Sequence, residues 1–119
     1  MRLSLNRIDA KFIELKNNKK KAFMPYICAG DPTLDLSREL LLTLEKAGAD
    51  LIEFGIPFSD PIADGPIIQK ASERSLCSGT SIDQVLNLVF LFLIQLLMDQ
   101  LYRKRARGHF VVELRLSKS

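Results

Sequence analysis

The stretch that decides the fold is residues 50–66, which read DLIEFGIPFSDPIADGP. Its first half is an apolar run of the kind that forms a buried strand. Its second half is a loop, because four of the ten residues from 57 to 66 are proline or glycine. Pro66 suits the first turn of a helix, where no backbone N–H donor is needed. We therefore predict a strand, a loop, and a helix that runs from Pro66 to about Cys77.

The same alternation continues upstream of this stretch. Residues 22–28 form another short apolar run, and residues 33–47 have helical periodicity with Thr33 as a cap. Strand, helix and strand in this order predict a right-handed βαβ unit with parallel strands. A short amphipathic helix over residues 6–18, with Asn6 as its N-cap, precedes this unit.

Composition and charge indicate an ordinary globular chain. Its 119 residues are 47% hydrophobic and 26% charged, which fits one domain. The net charge of +3 is too small to predict nucleic-acid binding, and residues 85–119 hold six of the 17 basic side chains but only two of the 14 acidic ones. The first residues lack the apolar core of a secretory signal, so we expect a cytoplasmic protein.

Metal chemistry based on histidine and cysteine is excluded by the residue inventory. The chain has one histidine, His109, and its two cysteines, Cys28 and Cys77, are far apart in sequence. We expect both cysteines to be free thiols, and a disulfide between them is the alternative.

The C-terminal part leaves two interpretations open. Residues 85–98 are almost continuously apolar, and a basic segment follows at residues 102–107. This apolar run falls short of the roughly 20 residues that span a bilayer. The favoured interpretation is a soluble helix without membrane contact, and the alternative is a helix over 85–107 anchored at a membrane surface. Residues 109–116 can form a short strand.

Two carboxylates are candidates for catalysis. Glu53 interrupts the second apolar run, near the end of the strand where α/β proteins place their active sites. Burying a carboxylate is costly unless it is paired or protonated, and a carboxyl group that exchanges its proton can act as a general acid or base. The alternative is an edge-strand glutamate that faces water. Asp64 is a second candidate, and an ordinary turn residue before Gly65 is its alternative.

The combined motif is more specific than its parts. The run from Glu53 to Pro66 has the form E-x-G-I-P-[FY]-S-D-P-x-A-D-G-P, and it occurs together with the triplet Gly30-Asp31-Pro32. It closely resembles the tryptophan synthase alpha chain family, and the resemblance covers about residues 8–88. The resemblance implies an α/β fold in which residues 1–88 are the N-terminal part of a (β/α)₈ TIM barrel, with about two βα units. We expect residues 89–119 to be a divergent tail, apolar and helical at first and then basic.

The resemblance also implies an activity, which is aldol cleavage of indole-3-glycerol phosphate to indole and glyceraldehyde 3-phosphate in tryptophan biosynthesis. Glu53 would deprotonate the glycerol hydroxyl group and protonate indole C3, and Asp64 would accept a hydrogen bond from the indole N–H group. Phe23, on the first predicted strand, would line the indole pocket. The alpha chain itself needs no cofactor or metal, whereas the partner beta chain carries pyridoxal phosphate.

The resemblance leaves part of the family pattern unmatched. A complete barrel needs about 250 residues, and the phosphate-binding loops after the seventh and eighth strands have no counterpart in residues 1–119. The tail after about Phe90 does not resemble the expected third strand. We therefore expect little activity from these residues alone, and a non-catalytic remnant or binding module is the alternative function. A plastid stroma is the alternative location.

Overall fold

A computed structural model describes residues 6–59, 64–103 and 111–116. In these residues four helices and three strands alternate along the chain. Their bounds are α1 Arg7–Asn17, β1 Tyr26–Cys28, α2 Leu34–Lys46, β2 Leu51–Ile56, α3 Pro66–Cys77, α4 Ile82–Arg103 and β3 Val111–Leu116. The order confirms the predicted strand–helix–strand unit and the helix that begins at Pro66.

Side-chain caps begin three of the helices, and those at Asn6 and Thr33 are where the sequence predicts them. The Asn6 side chain accepts a hydrogen bond of 2.8 Å from the Asp9 N–H group, and Thr33 accepts one from Leu36 at 3.3 Å. Ser81 and Gln84 exchange side-chain and backbone hydrogen bonds before α4. Each cap satisfies N–H groups that the first helical turn leaves without partners.

The three strands form one parallel sheet in the order β1-β2-β3. One face of β2 packs on helices, because Ile52, Phe54 and Ile56 are buried together with core residues of α2 and α4. The core residues from the two helices are Leu41, Val85, Val89 and Phe92. Helices α2 and α4 therefore cover one face of the sheet and not the other.

The third strand corrects our expectation for the tail. The two expected βα units are present, and beyond them β3 pairs in parallel with β2 along its full six residues, where we expected no third barrel strand. The physical reason lies in α4, whose buried residues Val85, Val89 and Phe92 recur at helical spacing. A helix with such an inward face can act as the crossover between two parallel strands. The short strand expected within residues 109–116 is confirmed from Val111 onward.

Helix α4 crosses the predicted boundary between residues 1–88 and the tail. It runs through residues 88 and 89 without interruption, so the boundary between segments 1–88 and 89–119 coincides with no element end and stays a prediction. From Ile82 to Asp99 it is long and apolar enough to cross a bilayer, by length and composition alone. The helix expected over 85–107 is confirmed as far as Arg103, and residues 104–107 lie outside the described residues.

Candidate active site

The candidate site lies on the face of the sheet that α2 and α4 do not cover. Side chains alternate between the two faces of a strand, so Glu53 and Gly55 point away from the buried Ile52 and Phe54. Glu53 itself is half-buried. The structure thus places this carboxylate on the face that becomes the interior when a parallel sheet closes into a barrel.

Glu53 stands in a row of three side chains that crosses the sheet. Its register partner on β1 is Tyr26, and its register partner on β3 is Glu113. Adjacent strands lie about 4.8 Å apart, so residues in one row are direct neighbours. The aromatic ring of Tyr26 is therefore the nearest apolar surface on β1 for anything that approaches Glu53.

Gly55 provides the space in which Tyr26 lies. A Cβ atom at position 55 would collide with the Tyr26 hydroxyl oxygen and would meet Cζ of the ring at 2.6 Å. Because Gly55 is two residues beyond Glu53 on the same face, the Tyr26 ring leans toward the C-terminal end of the sheet. This is the end at which α/β proteins bind their substrates.

Asp64 lies at the start of α3, directly before the N-cap residue Gly65. It is half-buried, and its backbone carbonyl oxygen accepts a 2.8 Å hydrogen bond from the Gln69 side-chain amide. This bond ties the bend at Asp64 to the first turn of the helix. Residues 60–63 of the preceding loop lie outside the described residues.

Helix α3 is fixed to the C-terminal end of β1 by a buried hydrogen bond and an exposed ion pair. The Ser75 hydroxyl group donates a 2.6 Å hydrogen bond to the Ala29 carbonyl oxygen. Arg74 makes two hydrogen bonds, of 2.8 and 2.9 Å, to the two carboxylate oxygens of Asp31. These contacts hold α3, and with it Asp64, over the same end of the sheet as Glu53.

Cys28, the last residue of β1, has a shifted pKa. Burial raises the pKa of the Cys28 thiol, a hydrogen bond with Ser72 opposes the increase, and the charges of Asp31 and Asp64 add to it. Cys28 is the register partner of Gly55. Cys28 and Cys77 are both free thiols, as expected.

Phe23 lies elsewhere, which corrects its expected location. It precedes β1 by three residues and is 48% exposed. Its N–H group donates to the Asp50 carboxylate at 2.9 Å, and its carbonyl oxygen accepts from the Asp50 N–H group. Phe23 is thus at the N-terminal end of the sheet, and its role in an indole pocket stays a prediction that this location does not favour.

Tyr26 is the residue that our sequence reasoning missed. The register of the two parallel strands identifies it. Of the two aromatic residues in the first apolar run, Tyr26 is nearer the C-terminal end and pairs with Glu53. The apolar run over residues 22–28 contains both Phe23 and Tyr26, and the sequence alone does not say which of them pairs with Glu53.

The chemistry available at this site is proton transfer. The two candidate carboxylates differ in setting, with Glu53 on a strand beside an aromatic ring and Asp64 at a helix start. In the part of the chain that the structure describes, no group of three metal-binding side chains comes together. Parallel strands joined by crossover helices, with a carboxylate near the C-terminal strand ends, are the arrangement found in proteins of the TIM-barrel class.

Comparison with known proteins identifies which barrel this is. Residues 12–95 match the family model described as tryptophan synthase alpha chain. The tryptophan synthase alpha chain of Prochlorococcus marinus is 54% identical over 86 residues, and that of Geotalea daltonii is 56% identical over 82 residues. These matches cover 72% and 69% of this chain and 31% of each relative.

Solved structures agree with the sequence matches and extend them into the tail. The alpha subunit of tryptophan synthase from Legionella pneumophila superposes with a TM-score of 0.77 at 44% identity, covering 95% of this chain and 39% of that one. Tryptophan synthase from M. tuberculosis, in its aminoacrylate-bound form, gives a TM-score of 0.73 at 30% identity, with 92% and 40% coverage.

The chain belongs to the tryptophan synthase alpha chain family, and its fold is the N-terminal portion of that TIM barrel. The family is one of lyases of tryptophan biosynthesis. The chain spans about a third of the length of the curated relatives it matches.

Proposed function

We propose that this chain supplies the acid/base part of the site that cleaves indole-3-glycerol phosphate to indole and glyceraldehyde 3-phosphate. The observation that carries the proposal is the half-buried Glu53, which stands between Tyr26 and Glu113 near the C-terminal end of a parallel strand. Membership of the alpha chain family names the reaction, and the position of Glu53 fits the proton transfers that the reaction needs.

Glu53 acts twice in the proposed mechanism. As an acid it gives a proton to indole C3, which converts the ring to a cationic indolenine and weakens the bond between C3 and the glycerol carbon. As a base it removes the proton of the glycerol hydroxyl group, whose oxygen becomes the aldehyde as that carbon–carbon bond breaks. The bonding electrons return to the ring and give indole, so no external oxidant or reductant is needed.

Asp64 stabilises the charge that forms on the ring. A carboxylate that accepts a hydrogen bond from the indole N–H group becomes more favourable as the ring gains positive charge. The Gln69 side chain and the contacts of α3 with β1 hold the bend that carries Asp64. Tyr26 offers the flat apolar surface against which an indole ring packs.

The partner and the cofactor follow from the same proposal. The chemistry at Glu53 and Asp64 uses side chains alone, so we propose that the alpha chain works without a cofactor. The indole product passes to a tryptophan synthase beta chain, which holds pyridoxal phosphate and consumes indole. The loop over residues 57–66, which follows β2, is the proposed contact region for that beta chain.

The experiment places residues 12–95 in a complete barrel. In a chimera, this segment replaces the matching segment of the Legionella pneumophila alpha subunit, and release of glyceraldehyde 3-phosphate is measured. We expect turnover by the chimera and a fall of roughly 10²- to 10⁴-fold in kcat on Glu53→Gln, because the amide cannot transfer protons. KM should change little, since the amide keeps the shape and hydrogen-bonding capacity of the side chain.

The matched control is Glu39→Gln, which removes the charge of an exposed glutamate on α2. It should leave kcat unchanged. A chimera that retains its full kcat after Glu53→Gln rules out the proposed role, and a well-folded chimera without any turnover favours a non-catalytic segment.

A further inference from the structure

The triplet Gly30-Asp31-Pro32 lies in the loop between β1 and α2, and it has no part in the proposed proton transfers. Gly30 has a φ of 80°, in the left-handed region that favours glycine. Its N–H group donates a 2.8 Å hydrogen bond to the fully buried Ser37 hydroxyl oxygen. A Cβ atom at position 30 would collide with the side chains of Ser75 and Thr80. The loop backbone is therefore fixed between α2 and the C-terminal end of α3.

Helix α3 contacts the end of β1 through one row of hydroxyl groups. Ser72 and Ser75 are three residues apart, so they lie on the same face of the helix. The Ser75 hydroxyl group donates to the Ala29 carbonyl oxygen at 2.6 Å. The Ser72 hydroxyl oxygen lies 3.9 Å from the Cys28 sulfur. A single row of contacts fixes the distance of the helix from the strand end but leaves its orientation free to change.

Arg74 adds a contact on a second side of α3. It lies about 100° from Ser75 around the helix. Its Nε and Nη2 atoms donate hydrogen bonds of 2.8 and 2.9 Å to the two carboxylate oxygens of Asp31. Two parallel hydrogen bonds between planar groups fix a direction as well as a distance. We call the Arg74–Asp31 pair the clasp.

Apolar packing does little to orient α3. The buried residues of this helix are Ala71, Ser72 and Ser75, which are all small. Small side chains bury little apolar area, and apolar burial is not directional. The orientation of the helix therefore depends on its polar contacts, and among these the clasp is the bidentate one.

The orientation of α3 matters because Asp64 lies at the opposite end of the helix from the clasp. The Gln69 side chain donates to the Asp64 carbonyl oxygen, which ties Asp64 to the first turn. Residues 64 and 74 are ten positions apart, which is about 15 Å along a helix axis. A tilt of about 5° at the clasp would therefore move Asp64 by about 1 Å, and a misplacement of that size can cost roughly 100-fold in rate.

The clasp is too exposed to be a major source of stability. The Arg74 side chain is 56% exposed, and exposed ion pairs contribute little to the free energy of folding. Loss of the clasp should therefore leave the chain folded while the position of Asp64 changes. This difference separates a positioning role from a purely structural one.

We propose that Asp31 and Arg74 are positioning residues, which orient α3 so that the Asp64 carboxylate meets the indole N–H group. This inference rests on the proposed function, because the role of Asp64 comes from it. The triplet then has a role, since Gly30 lets the loop approach α3 closely and Asp31 supplies the two acceptor oxygens.

Kinetics of the chimera that contains residues 12–95 test the clasp. Arg74→Gln should lower kcat by roughly 10- to 100-fold and leave KM nearly unchanged. Arg74→Lys should lower kcat less, because the ammonium group keeps the charge but cannot make two parallel hydrogen bonds. The matched control is Arg38→Gln, which removes another exposed arginine hydrogen bond between elements, the 3.0 Å bond to Gln95. It should leave kcat unchanged.

A double-mutant cycle shows whether the clasp acts through Asp64. In an Asp64→Ala background, Arg74→Gln should lower kcat by less than roughly twofold, because no carboxylate is left to be positioned. Asp31→Asn should behave like Arg74→Gln in both backgrounds. A purely structural role would give the same loss with and without Asp64.

The full 119-residue chain provides a readout that needs no catalysis. Arg74→Gln should raise the amide hydrogen-exchange rates of α3 at least roughly threefold more than those of α2. The urea midpoint should shift no more than it does on Arg38→Gln, because both changes remove exposed contacts.

Three results would overturn the positioning roles. They are an unchanged kcat on Arg74→Gln, an equal loss of kcat in the Asp64→Ala background, and α3 exchange rates that do not respond to Arg74→Gln. Failure of the proposed function has a different signature, which is full kcat after Glu53→Gln. A chimera that loses kcat on Glu53→Gln but not on Arg74→Gln would refute the positioning roles alone.

Discussion

At the scale of single residues, the candidate site depends on contacts between side chains on adjacent strands. Glu53 by itself is only a glutamate on a strand. Its surroundings are set by Tyr26, its register partner on the adjacent strand. Tyr26 in turn occupies space that exists only because residue 55 has no side chain. The motif residue Gly55 is therefore part of the site through the volume that it leaves empty.

This coupling predicts the sign of a substitution. Gly55→Ala should lower the free energy of unfolding by about 1–3 kcal/mol, because the new methyl group displaces the Tyr26 ring. In a Tyr26→Ala background the same change should be neutral or stabilising, since alanine suits a strand better than glycine does. Urea unfolding of the four chains measures the coupling.

Gly65→Ala is the control, because a Cβ atom there meets nothing within 4 Å. Equal costs of Gly55→Ala in the two backgrounds would show that Tyr26 does not lie where we describe it.

At the scale of elements, helix α3 is held in place by polar contacts as much as by apolar packing. Its buried residues are Ala71, Ser72 and Ser75, which are small, so the helix approaches β1 closely. The Ser75 hydroxyl group then meets a strand-end carbonyl that has lost its ladder partner. The helix that begins after Asp64 is positioned by two buried hydrogen bonds, Ser75 to Ala29 and Cys28 with Ser72, and by the exposed Arg74–Asp31 pair.

Removal of that buried hydroxyl group should destabilise the chain. We expect Ser75→Ala to lower the free energy of unfolding by about 1–3 kcal/mol, because the Ala29 carbonyl oxygen is left buried without its donor. Thr43→Ala is the matched control, since it also removes a hydroxyl group that donates to a backbone carbonyl, but at an exposed position where water replaces it. A cost equal to that of the control in urea unfolding would contradict this role of Ser75.

At the scale of the whole chain, local signals predict most of the elements. Caps at Asn6 and Thr33 and proline at position 66 locate the helix starts, and the motif from Glu53 onward locates the family. The strand at Val111–Leu116 could be predicted, but its parallel pairing with β2 could not, because strand pairing depends on contacts between residues far apart in sequence. The inward-facing residues of α4 could not be recognised from the sequence either, because the opposite face of this helix is also apolar.

The same distinction applies to the candidate site: local sequence predicts some of its residues, and others depend on how the strands pair. The motif makes Glu53 and Asp64 candidates, and in the structure Glu53 lies on β2 and Asp64 lies directly before α3, the next helix along the chain. The aromatic residue beside Glu53 could not be predicted, because the choice between Phe23 and Tyr26 depends on the register of β1 against β2. A shift of one residue in that register reverses which side chains share a face with Glu53.

The most direct test of the central claim, that Glu53 carries a proton to indole C3, is hydrogen–deuterium exchange at that carbon. The chimera that contains residues 12–95 is mixed with indole in D₂O, and loss of the C3 proton signal is followed by NMR. This reaction needs neither the substrate phosphate nor cleavage of a carbon–carbon bond. Our account predicts exchange well above the buffer rate that returns to the buffer rate on Glu53→Gln. Equal exchange by the chimera and its Glu53→Gln variant would contradict it.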